Sequence, residues 1–118
     1  MNKIQKFPLF IFLFLVVIFT NGYADKSEIY SDGQGKINGR LIVDNMIQKK
    51  FGEIGETAAE KYMFGAMDAI GTLDENFFAQ TYPNSTKADI VEAVKLYYQN
   101  HPTQRHRAVI DVILSGCN

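Results

Sequence analysis

Apolar positions along the chain follow two regimes. From Phe7 to Phe19 they form one block that carries no charge and is broken only by Pro8. Beyond residue 36 they recur every three or four residues, the spacing of one helix face. Four helical segments follow from this second regime. The first covers about Gly39 to Phe51, with Val43, Met46, Ile47 and Phe51 on one side, Asn38 as its cap, and Gly52 and Gly55 closing it. The second opens on Thr57-Ala58-Ala59-Glu60, a capping box in which hydroxyl and carboxylate each satisfy an orphan backbone donor. Its stripe runs Ala58, Tyr62, Gly65, Ala66, Ala69, Leu73. Most of these are small, so a neighbouring helix could come close, and such an approach would justify the roughly 1 kcal/mol that a mid-helix glycine costs relative to alanine.

Leu73 to Asn84 reads as a connecting loop carrying Phe77, Phe78 and Tyr82. Ser85-Thr86 caps the third helix, whose apolar side is Ile90, Val91, Val94, Tyr97 and Tyr98. It ends at Asn100-His101, because a residue preceding proline is driven out of helical geometry. Pro102 suits the first turn of a fourth helix, with Val109, Val112 and Ile113 as its core stripe and Gly116 as its C-terminal cap. No stretch alternates as a strand would. The pattern predicts an all-α protein, a small single-domain bundle of about four helices.

The apolar block changes where this bundle is expected to work. Lys3 and Lys6 form a positive head, and Gly22-Tyr23-Ala24 places small residues at the positions a signal peptidase reads. The block is shorter than the ~20 residues of a spanning helix. Residues 1–24 therefore read as a cleavable signal peptide, 25–36 as a polar, flexible lead-in, and 37–118 as the helical domain. An uncleaved anchor is the less favoured alternative. A lipoprotein is excluded, since the only cysteine is Cys117, far from the cleavage point. The implied location is periplasmic, in a Gram-negative cell, with no membrane attachment after cleavage.

Charge and cysteine narrow the function classes. The whole chain has a net charge of −1, and losing Lys3 and Lys6 takes it to about −3. With no basic stripe, nucleic acid is not an expected partner. One cysteine cannot build an internal disulfide. Cys117 is expected to be an unpaired thiol near the chain end, with an intermolecular bridge as the alternative. His101 and His106 are five apart across a proline and stand in no Cys/His cluster, so no metal, cofactor or catalytic role is assigned to them. Asp68 and Arg105 are read as an ion pair clamping the second helix to the fourth, with partner-facing roles as the alternative. Asp74, Glu75 and Asp89 sit at turns and helix starts, where the helix dipole favours acids. Phe77, Phe78 and Tyr82 either fold back onto the core, the favoured reading, or face a partner.

Taken in order, Tyr62-x-x-Gly65-x-x-Asp68, the Phe78…Pro83 loop, the Thr86-initiated helix ending in Tyr97-Tyr98, and His101-Pro102-x-x-Arg105-His106 resemble the Rap/Tai family of periplasmic immunity proteins. That family neutralises amidase effectors of type VI secretion. The resemblance covers about sixty residues, Ala58 to Cys117. It implies a non-enzymatic helical binder, a homodimer, that occludes the active-site groove of a secreted cell-wall amidase. On this reading Asp74, Glu75, Phe77 and Tyr82 are the candidate partner contacts. One departure stands out. Where family members carry cysteines this chain has Ala59 and Ala79, leaving only Cys117. The competing reading is an acid-stress chaperone of the HdeA class or another envelope interaction protein, and the single cysteine argues against the chaperone.

Overall fold

The computed structural model describes Tyr30, Ser31 and residues 35–118; the expected signal peptide, and residues 25–29 and 32–34 of the lead-in, lie outside the described residues. The described residues are mostly helical, with isolated bridges Ser31–Ile37 and Asn38–Ala108 in place of any strand among them. In order the elements are α1 (Arg40–Ile42), a π-helical turn (Val43–Ile47), α2 (Gly52–Leu73), α3 (Phe77–Thr81), α4 (Lys87–Asn100), a 3-10 turn (Pro102–Gln104) and α5 (Val109–Leu114). The predicted all-α bundle is the observed architecture, with α2 and α4 as its long members. Among the described residues no helix is long and apolar enough to cross a membrane.

The first predicted helix is shorter than expected and changes pitch. Gly39 rather than Asn38 is its N-cap, although the Asn38 side-chain oxygen, one residue earlier, accepts from the Arg40 N–H at 2.9 Å. After Ile42 the chain widens, and the Gln48 N–H reaches back five residues to the Val43 carbonyl at 2.8 Å. Lys49 at φ 52° and Gly52 at φ 66° then turn the chain into α2. Gly52 therefore opens the second helix rather than closing the first. Thr57 and Glu60 lie inside α2, so their capping box does not form.

The buried side of α2 is also not the predicted stripe. Its core residues are Gly55, Ala59, Met63, Ala66 and Met67. Ala58, Gly65, Ala69 and Leu73 are exposed, and Tyr62 is half-buried against the core. Close approach does occur, but at Gly55, where a β-carbon would overlap Asn45 Oδ1 and Phe51 Cβ. A β-carbon at Gly65 would touch nothing. The π-turn residue Asn45 is itself buried, its amide donating to the Leu41 carbonyl at 2.9 Å.

The second half of the domain follows the pattern closely. Thr86 and Asp89 form a reciprocal capping box at the start of α4. Ile90, Val91, Val94, Tyr97 and Tyr98 are all buried. Each such side chain contributes roughly 1.5–3 kcal/mol on burial, so α4 is a principal source of stability. Val109, Val112 and Ile113 complete the core from α5. Beyond α5, Gly116 (φ 76°) closes a Schellman motif, with the Cys117 N–H on the Val112 carbonyl and the Gly116 N–H on that of Ile113.

Candidate functional site

The expected partner loop is a structured corner. Asp74 ends α2 and its carboxylate accepts the Asn76 N–H at 3.1 Å, while its carbonyl takes the Phe77 N–H at 3.1 Å. This turn launches α3, where a loop was expected. Phe77, Phe78 and Tyr82 form a three-ring cluster, with Phe77 and Phe78 edge to face at 4.9 Å, and pack against the core. The Tyr82 hydroxyl donates to the Ile113 carbonyl at 2.6 Å and lies 3.5 Å from Cys117 Sγ. Since that carbonyl can only accept, the phenolic proton is committed to it, and the thiol is the donor toward the phenol oxygen. Burial pushes the Tyr82 phenol far above its ordinary value, and burial also raises the Cys117 thiol. Two of the four candidate contact residues, Phe77 and Tyr82, thus hold the corner together. Asp74 and Glu75 remain at its exposed tip beside Leu73, which is 88% exposed.

Next to this corner, between α2 and the start of α4, lies an open cleft of about 360 Å³ floored by Met67, Phe78 and Ile90. Asp68 sits on its rim, hydrogen-bonded to the Lys87 ammonium, and Lys87 also stands 5.7 Å from the centre of the Phe64 ring. The expected Asp68–Arg105 clamp is not formed. Asp68, near the end of α2, instead meets Lys87, the first residue of α4. Arg105 follows the opposite end of α4, whose 14 residues span about 20 Å at 1.5 Å per residue.

The His-Pro junction separates into two environments. His101 stacks on Tyr97 at 4.4 Å and its Nδ1 lies 2.8 Å from the Tyr97 carbonyl. A carbonyl accepts only, so Nδ1 carries the proton. Pro102 opens the 3-10 turn. Arg105 and His106 instead face a second cleft, of about 510 Å³, shared with Arg40, Asp44 and Lys50. The next residue, Arg107, carries no signal in the sequence. Its guanidinium donates to the Tyr97 hydroxyl and to the Asn118 backbone oxygen, each at 2.7 Å. Its carbonyl accepts from the Tyr98 hydroxyl at 2.7 Å and the Gly39 N–H at 3.0 Å. The motif residues Tyr62, Gly65 and Asp68 therefore do not converge with His101, Pro102, Arg105 and His106 into one site.

A third feature lies at the start of α2, where Phe51 and Ile54, 56% and 83% exposed, edge an apolar groove of about 540 Å³ with Leu41, Ala58 and Tyr30. Tyr30, inside the predicted flexible lead-in, is half-buried there and its hydroxyl donates to Asp44 at 3.1 Å. Among the described residues no group of three or more His, Cys, Asp or Glu side chains is placed to hold a metal ion. No protein-family model, no curated protein and no solved structure matches the chain.

Proposed function

We propose that this protein is an exported binder of the immunity type, which meets a secreted cell-wall amidase outside the cytoplasm and blocks its active-site groove. A single observation carries the reading. The motif elements fall in order on an all-helical domain, from the Tyr62-x-x-Gly65-x-x-Asp68 helix through a Thr86-capped helix carrying Tyr97-Tyr98 in its last turn to a His101-Pro102 turn. The Lys3-to-Ala24 leader supplies the export that stopping a cell-wall hydrolase would need. Inhibition of this kind requires shape and charge complementarity over a cleft rather than chemistry. The docking surface is the α2–α3 corner, where Leu73, Asp74 and Glu75 project and the half-buried rings of Phe77 and Tyr82 keep the projection rigid.

The test uses the full chain with a C-terminal tag, recovered from the envelope fraction and offered a panel of cell-wall amidases. A one-to-one complex in which hydrolysis stops is the expected result, and capture of none of the panel would count against the reading. An Asp74→Lys/Glu75→Lys variant should lose binding with an unchanged melting curve. Full inhibition by that variant would move the docking surface elsewhere.

A further inference from the structure

The cleft at the His-Pro junction concentrates positive charge on a chain whose overall balance is negative. Arg40 comes from α1, Lys50 from the turn before α2, and Arg105 and His106 from the connection between α4 and α5. Segments far apart in sequence thus deliver three permanent cations to one concave surface, facing a single carboxylate, Asp44. The cleft therefore holds two positive charges in excess with His106 neutral and three with it protonated. Asp44 is already engaged, by Lys50 at 3.4 Å and by the Tyr30 hydroxyl at 3.1 Å. Among the described residues no hydrogen bond or ion pair reaches the side chains of Arg40, Arg105 or His106.

We propose that this cleft is an oxyanion site, taking a carboxylate or phosphate group between Arg40, Arg105 and His106. Charges scattered over a convex surface are simply solvated, whereas like charges lining a concavity repel one another and focus their field outward, which draws in a counter-ion. Guanidinium groups present paired donors that match two oxygens of a carboxylate or phosphate at once. Lys50, held by Asp44, adds charge without closing the cleft. The inference stands apart from the immunity reading, because it concerns the opposite end of α4 from the Asp74–Glu75 corner and needs no amidase.

Calorimetric titration and thermal melting of the full chain test it, at ionic strength held constant with sodium chloride. Three probes are used: inorganic phosphate, acetate, and a short glutamate peptide. At least one should bind saturably with a Kd at or below about 1 mM, and should raise the melting temperature as any ligand of the folded state does. The Arg40→Gln/Arg105→Gln double variant should weaken that binding by about tenfold or more, the loss expected for charged hydrogen bonds. Both side chains are exposed, so the variant should fold, and its circular dichroism checks that. The probe bound most tightly identifies the source of the anion. Saturation by none of the three, or unchanged affinity in the double variant, would overturn the site.

Discussion

The ring of Tyr98 occupies the position that a β-carbon on residue 39 would need. Gly39 has ordinary helical dihedrals, so its lack of a side chain serves packing rather than backbone freedom. Gly39→Ala would push the tyrosine away and strain both bonds to the Arg107 carbonyl. Overpacking of this kind costs about 1–3 kcal/mol, and a urea melt should show a loss in that range or above. A midpoint equal to wild type would mean that Tyr98 yields freely.

Two other glycines should respond in opposite directions. Gly55→Ala would drive a methyl into Asn45 and Phe51, and should destabilise by about 1–3 kcal/mol. Gly65→Ala adds a methyl to open space in mid-helix, and should stabilise by roughly 1 kcal/mol through helix propensity. The two melts, run side by side, decide which face of α2 is the packed one.

Removing the α4 cap should have a measurable cost. Thr86 accepts the Asp89 N–H at 3.1 Å while Asp89 accepts that of Thr86 at 2.9 Å. Thr86→Ala should lose about 1 kcal/mol, and Thr86→Ser little. Equal melting of all three proteins would show that the box contributes nothing.

Alkaline pH should weaken the fold. Burial raises the phenols of Tyr82 and Tyr98 and the thiol of Cys117 above their ordinary values of 10.0 and 9.0. The unfolded chain therefore releases these protons first as pH rises. Stability is intact below about pH 9 and declines as the pH climbs past the unfolded values. Melting temperatures collected from pH 7 to 11 should show this fall, and a flat profile would contradict it.

The same burial should make Cys117 slow to react. A thiol needs its thiolate form to be alkylated, and here burial favours the protonated form. Iodoacetamide labelling at pH 8 should be markedly slower in the native protein than in urea. Equal rates would place the thiol in open solvent.

The parts of the fold that were legible in the sequence share one property, agreement between local signals. In α4, the Thr86–Asp89 cap and the spacing of Ile90, Val91, Val94, Tyr97 and Tyr98 point to the same boundaries and the same face. In α2 they conflict. Thr57 and Glu60 suit a helix start, yet the left-handed Gly52 lets the helix begin five residues sooner. The predicted stripe and the buried one share Ala66, and the remaining positions largely differ by one residue. Met63, Phe64, Met67 and Ile70 make the helix apolar on several sides, so periodicity alone does not select between the faces. The choice falls to Asn45 against Gly55, a contact between segments that no local pattern reports.

The surface features were less legible for a related reason. Asp68 takes Lys87 rather than Arg105 because the end of α2 and the start of α4 line one cleft, which residue spacing does not encode. The favoured inward placement of Phe77, Phe78 and Tyr82 is what the structure has, but α3, at five residues, gives too few apolar repeats to show a period. Arg40, Lys50, Arg105 and His106 sit in separate segments, and only folding brings them to one cleft.

The tie between residues 37–39 and 107–109 has a consequence for the order of events in making this protein. The Ile37 carbonyl accepts from the Val109 N–H, Asn38 bridges to Ala108, and Gly39 bonds to Arg107. A ribosome delivers the amino end first, so one half of this seam must wait for the other. Helical turns can form as the chain emerges, being local, but the long loop between the seam's halves has to be closed at an entropic cost before α1 is held. The seam therefore latches only when residue 109 has cleared the ribosome.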